Sequence, residues 1–128
     1  MSTPHALIID DSKTNIEVLT MMLARQGVEF TAIQFVINLD ETLNTLDKVD
    51  VIFLDLELPN HNGFEILDYL KSKPNLANIP IVAYTVHNSE IDTARRAGFH
   101  SFLGKPLSLS KFPDQLHKIL SGIPVWEI

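Results

Sequence analysis

Short apolar runs alternate along the chain with longer stretches in which apolar residues recur every three or four positions. Ala6, Leu7, Ile8 and Ile9 form a continuous apolar run, as expected of a strand covered on both faces. Ile16, Leu19 and Leu23 then recur at helical spacing within positions 13–26. Ser12 or Asp11 can cap the start of that helix, and Gly27 can stop it. Residues 30–33 predict a second strand, poorer in apolar content and therefore a candidate for a sheet edge. Positions 39–46 predict a weak helix. Val51, Ile52, Phe53 and Leu54 make the strongest strand of the chain. A loop holding Pro59, Asn60 and Asn62 leads into a helix over 64–73. A fourth strand is expected over 79–84 with Pro80 near its start, then a helix over 89–97 that closes at Gly98, and a fifth strand over 99–103. The last helix spans 110–120, where Pro113 is tolerated because it lies in the first turn. Five strands alternating with five helices imply an α/β fold, a parallel sheet with helices on both faces.

Composition narrows the class. With 128 residues and 45% hydrophobic content, the chain suits one domain, expected over 4–122 with a short tail at 123–128. No apolar run approaches the roughly 20 residues that cross a bilayer. The start, Met1 to His5, is short and polar and has no signal-peptide pattern. There are no cysteines, so disulfides and cysteine zinc sites are excluded. These absences fit a cytoplasmic protein with no membrane contact. The net charge of −6 argues against nonspecific nucleic-acid binding. The pair Arg95-Arg96 reads as a solvated helix face, and His5, His61, His100 and His117 lack zinc-ligand spacing. No Gly-x-Gly-x-x-Gly follows the first strand, which disfavours a dinucleotide site.

Chemistry enters at the strand ends. Asp10 and Asp11 follow the first strand, Asp55 the third, Thr85 the fourth and Lys105 the fifth. Each alone has a plain reading, as a helix cap, a turn residue or a surface charge. In a parallel α/β sheet, however, these ends meet on one side, near the point where strand order reverses. Three carboxylates brought together repel one another. A hard divalent cation with oxygen ligands relieves that repulsion, which suits Mg²⁺. Lys105 adds a positive charge to the same space. One carboxylate can then act as a nucleophile toward phosphorus while the cation and the ammonium stabilise the phosphoryl oxygens. The Thr85 hydroxyl can donate to a phosphoryl oxygen after transfer.

Five segments follow in order: Leu7-Ile8-Ile9-Asp10-Asp11-Ser12, then Ile52-Phe53-Leu54-Asp55-Leu56-Glu57-Leu58-Pro59 with Gly63 beyond, then Ala83-Tyr84-Thr85, Ala97-Gly98-Phe99 and Phe102-Leu103-Gly104-Lys105-Pro106. In that order and spacing the chain resembles, over essentially its whole length, a response-regulator receiver domain of two-component signalling. The resemblance implies a flavodoxin-like (βα)5 doubly wound five-stranded parallel sheet of order 2-1-3-4-5. It implies Asp55 as phosphoacceptor, Asp11 as direct Mg²⁺ ligand, Asp10 as a ligand through water, and the Glu57 backbone carbonyl as a further ligand. Lys105 would pair with the phosphoryl group and Thr85 would follow it. Phe102 stands where the family has a switching aromatic, against a plain reading as a half-buried strand residue at the sheet edge. The Lys105-Pro106 bond would be cis. The implied partners are a sensor histidine kinase or phosphotransfer protein and a downstream protein target, with no direct nucleic acid.

Three positions depart from the family pattern or modulate it. Val86 follows Thr85 where the family mostly has a smaller residue, so its methyls would narrow access. Glu57 and His87 occupy positions that in this family influence how fast the phosphoryl group is lost, and each can place or block a water. No output domain follows the last helix, so the expected roles are a stand-alone phosphoryl carrier or a contact switch, unless the chain is a fragment of something longer. Two rivals remain. One is a degenerate receiver that binds partners without phosphorylation. The other is an aspartate-nucleophile phosphatase of the haloacid dehalogenase type, for which the acidic pair stands on the wrong side of the nucleophile.

Overall fold

The structure, a computed structural model, describes residues 3–127. Met1 and Ser2 of the polar start, and Ile128 at the end of the expected tail, lie outside the described residues. The elements run β1 (His5–Ile9), α1 (Lys13–Arg25), β2 (Glu29–Ile33), α2 (Leu39–Thr45), β3 (Val51–Asp55) and α3 (Gly63–Lys71). They continue with β4 (Ile81–Thr85), α4 (Ile91–Ala97), β5 (Ser101–Gly104), α5 (Phe112–Leu120) and β6 (Trp126–Glu127). All strands of the main sheet are parallel, in the order β2-β1-β3-β4-β5-β6. The first five take the flavodoxin-like order 2-1-3-4-5, and β2 lies at an edge as its weak apolar content suggested.

The alternation of side chains along each strand divides the core in two. Ala6 and Ile8 of β1, Val51 and Phe53 of β3, Val82 and Tyr84 of β4 and Leu103 of β5 pack with Leu19 and Leu23 of α1 and Leu116 and Ile119 of α5. Leu7, Ile9, Ile52, Leu54, Ala83 and Phe102 face the other way, against α2, α3 and α4. Burial on both faces is why β1, β3 and β4 read as unbroken apolar runs.

Several boundaries differ from expectation for local reasons. Strand β4 begins at Ile81, since Pro80 has no N–H; its carbonyl still accepts from Ile52 N at 2.9 Å. Strand β5 begins at Ser101, because Phe99 is still closing α4. Its N–H bonds Ala94 O at 3.2 Å, while Gly98 takes the left-handed conformation at φ 105°. Helix α3 begins at Gly63, where the Asn62 side chain caps Phe64 N at 2.8 Å, and it stops at Lys71. Helix α5 begins at Phe112, behind a turn in which Lys111 N donates to Ser108 Oγ at 3.2 Å. Short 3₁₀ turns, Val36–Asn38 and Asn88–Glu90, precede α2 and α4.

Two features were not anticipated. The loop after β3 is a small antiparallel ribbon, Glu57–Leu58 against His61–Asn62, reversed through Pro59 and Asn60, where Asn60 takes φ 59°. The segment expected as a tail carries β6, which pairs with β5 in the register Phe102↔Trp126 and Leu103↔Glu127. Phe102 is therefore not at the edge and is fully buried. Among the described residues, no helix is long and apolar enough to cross a membrane.

Candidate functional site

The face that carries Ala6, Ile8, Phe53 and Leu103 continues, one alternation further along each strand, to Asp10, Asp55 and Lys105. The strand period therefore delivers two carboxylates and an ammonium to the same side of the sheet at its carboxyl end. Asp11 joins them, and oxygens of Asp10, Asp11 and Asp55 lie within 4.8 Å of one another. Asp10 is fully buried and Asp55 is 4% exposed. Lys105 Nζ lies 3.3 Å from Asp10 Oδ2 and 3.4 Å from Asp55 Oδ2, bridging the two. The Lys105-Pro106 bond that follows β5 is cis, as the resemblance implied.

Asp10 and Asp55 are also oriented by backbone. Ser12 N donates to Asp10 Oδ1 at 2.9 Å, and Glu57 N donates to Asp55 Oδ1 at 3.0 Å. Ser12 in addition caps α1, its Oγ accepting from Asn15 N at 3.2 Å, so the helix start and the Asp10 carboxylate are fixed by one residue. Gly63 matters to the same loop. A Cβ there would stand 2.9 Å from Leu56 Cα and 3.3 Å from Asp55 O, so only glycine lets α3 approach this close behind Asp55.

Burial pushes the Asp55 carboxyl up to about 7; Lys105 pulls the other way, and the charge and hydrogen bond of Asp10 add to the rise. Three carboxylates face one lysine, so when ionised they carry more negative charge than it neutralises. Oxygen ligands only, drawn from three carboxylates, match a hard divalent cation.

Tyr84 lies within one of the segments that carry the family resemblance, and the sequence alone assigns it no role. Its hydroxyl donates to Asp10 Oδ2 at 2.5 Å, and Lys105 Nζ sits 4.3 Å from its ring centroid. Burial above all, and then Asp10, hold the phenol far above its usual range, so it stays a donor. The signal was present: a lone hydroxyl in the otherwise apolar Ile81–Tyr84 stretch, on the same alternation as Asp55. Tyr84→Phe is expected to cost about 1–3 kcal/mol by depriving a buried carboxylate of one donor. A fall in the urea midpoint without a change in slope would register this, and an unchanged midpoint would show the bond to be expendable.

Thr85, Glu57 and His87 form a second cluster at the mouth. The Thr85 hydroxyl donates to Glu57 Oε1 at 3.5 Å and accepts from His87 N at 3.2 Å, and His87 Nε2 contacts Glu57 Oε1. Thr85 is buried and, two positions beyond Ala83, its side chain leaves β4 on the face that holds Phe102 while its hydroxyl reaches the mouth of the site. Val86 is 58% exposed on the rim. Of the residues singled out from sequence, Asp10, Asp11, Asp55 and Lys105 therefore meet in one pocket. Glu57 links them to Thr85 and His87, and Val86 and Phe102 stand apart.

A family model, the response regulator receiver domain, matches residues 6–117. The chain is 30% identical over 121 residues to the two-component response regulator ORR12 of Oryza sativa subsp. japonica, covering 93% of this chain and 100% of that one. Its fold is similar to the signal receiver domain of a DNA binding response regulator from Colwellia psychrerythraea (TM-score 0.80, 25% identity, 92% of this chain and 98% of that one). It is similar too to the receiver domain of sensor histidine kinase PA1611 from Pseudomonas aeruginosa, solved with a magnesium ion coordinated in its active site cleft (TM-score 0.81, 21% identity, 94% and 99%). Since the family match runs from β1 into α5, the chain belongs to the response regulator receiver domain family, whose members are signalling switches of two-component systems rather than enzymes of the usual kind.

Proposed function

We propose that this receiver accepts one phosphoryl group on Asp55 from a histidine kinase or phosphotransfer protein, in a Mg²⁺-dependent reaction in a cytoplasmic setting. The observation that carries the reading is a buried, backbone-oriented Asp55 with Asp10, Asp11 and Lys105 around it. Asp10, Asp11 and Asp55, with the Glu57 backbone carbonyl, would hold the ion. A bound Mg²⁺ would supply charge that offsets the phosphoryl oxygens, as the magnesium found in the cleft of the PA1611 receiver suggests.

The chain's own residues account for the rest. Glu57 N fixes one oxygen of Asp55 and leaves the other to attack phosphorus. An O–P bond forms as the P–N bond to the donor imidazole breaks, and the imidazole leaves with the electron pair. Lys105, already between the two carboxylates, neutralises charge on the transferring group. Tyr84 holds Asp10 in place.

Incubation with acetyl phosphate and Mg²⁺ should add one phosphoryl mass and no more. Absence of any adduct would favour a receiver that works by contact alone. Continuous turnover of a phosphate ester would favour a phosphatase. Either result overturns the proposal.

Phosphorylation would then reorient Thr85. Its hydroxyl, now engaged with Glu57 and His87, would turn to a phosphoryl oxygen, and the α4–β5–α5 surface near Phe102 would respond. Thr85→Ala should still take up the phosphoryl group. With a beryllofluoride mimic, the wild-type chain should show NMR shift changes at Phe102 and His87 that the variant lacks. Identical responses in both would break the coupling.

A further inference from the structure

We infer that the edge of β5 is a strand-binding surface, filled in cis by residues 125–127 and open in trans to a partner's extended segment of the pattern aliphatic, aromatic, acidic. The inference rests on the reading above only in placing partner docking on the α4–β5–α5 surface, and its test uses the unphosphorylated chain.

The edge binds this segment as strand-addition sites bind peptides: main-chain bonds hold it, and alternate side chains enter different pockets. Phe102 N donates to Val125 O at 2.8 Å, and Val125 N donates to Ser101 Oγ at 3.0 Å. Val125, 4% exposed, packs into the cluster beneath α1 and α5. Trp126 points to the other face, packing on the opposite cluster with the Arg95 guanidinium 4.6 Å from its ring centroid. Glu127 returns to the α5 side, where Gln115 Nε2 donates to Oε2 at 3.2 Å. Arg95, expected to be simply solvated, thus serves as the wall of an aromatic slot. The three pockets specify the chemistry of any substitute strand.

The occupant is built to exchange. Strand β6 is only two residues long and joins α5 through exposed residues 121–124, with Gly122 in the left-handed conformation at φ 85°. A peripheral element this short can open locally before the rest of the sheet, withdrawing Val125 from its cluster as it does. Opening exposes the Phe102 N–H on an unpaired strand edge, a template on which another extended segment can pair in place of water. The surface therefore accepts only partners that outcompete residues 125–127, and it lies on the strand that leads directly into Lys105.

The test uses the full-length chain, its Val125→Asp variant and a fluorescein-labelled peptide Ile-Pro-Val-Trp-Glu. Trp126 is the single tryptophan, so its emission should shift to the red in the variant, while cooperative melting certifies the fold. The peptide should bind the variant at least tenfold more tightly than the wild-type chain. The same peptide with alanine for tryptophan should bind at least tenfold more weakly. Equal affinity for the two chains, or no binding to a cooperatively melting variant, overturns the inference. In the wild-type chain, the Phe102 amide should exchange with solvent at least tenfold faster than the slowest amides of β3. Equal protection would overturn the inference without reference to any variant.

Discussion

Asp55→Asn is expected to abolish phosphoryl uptake and, in the metal-free chain, to raise stability. The first effect follows from removing the proposed nucleophile. The second follows from the environment of the carboxyl, which burial and Asp10 push up to about 7 from an ordinary 3.8 despite Lys105. A carboxyl raised in the folded state binds its proton more tightly there than when unfolded. Stability is therefore lost as pH climbs from about 4 to about 7, and the deficit is complete above that range. Asparagine has no such deficit. At pH 8 in EDTA the variant should gain on the order of 2–4 kcal/mol, or about 10 °C in melting temperature. Near pH 4 the gain should largely vanish. Calorimetry of both proteins at the two pH values checks this, with mass spectrometry after acetyl phosphate treatment. A variant that still labels, or that melts lower at pH 8, contradicts the account.

The second large effect concerns Mg²⁺ itself. Ligand that binds only the folded state stabilises it by about 2.7 kcal/mol at a hundredfold excess over its dissociation constant. The wild-type chain should gain that much as Mg²⁺ is added, and Asp11→Ala should lose most of the gain. Asp11 is the least buried of the three carboxylates, so its removal perturbs packing least and isolates its part in binding. Equal Mg²⁺-dependent melting shifts in the two proteins would remove Asp11 from the ligand set.

The sheet and the clustering of polar groups at its carboxyl end were legible in the sequence because both follow from short-range rules. Strands covered on both faces write themselves as unbroken apolar runs, and a polar residue directly after such a run lands at the strand's carboxyl end. That is how Asp10, Asp55 and Lys105 could be gathered before any geometry was known. What stayed hidden depends on tertiary partners. Trp126 and Glu127 are too short a run to signal a strand; only the pairing with Phe102 and Leu103 makes them one. The ribbon after β3 is equally short and is set by the turn at Asn60. Tyr84 looks like an ordinary strand aromatic until Asp10 is found against its hydroxyl. The ends of α3, α4 and α5 were displaced by caps and turns that periodicity does not encode.

The division of side chains between the two faces of the sheet has a consequence for how this molecule tolerates change. Tyr84 and Thr85 are neighbours in one strand, yet one backs the acidic pocket and the other belongs with Phe102 on the opposite side. Under the proposed function the sheet would be a partition with reaction on one side and read-out on the other, and a single peptide unit would be the doorway between them. One residue inserted into or deleted from the end of β4 would exchange the two rooms, putting the threonine behind the carboxylates and the tyrosine against α4. The amino ends of the strands carry no such phase requirement. Connections such as residues 73–80 can lengthen or drift, while every strand that feeds the pocket must keep its count.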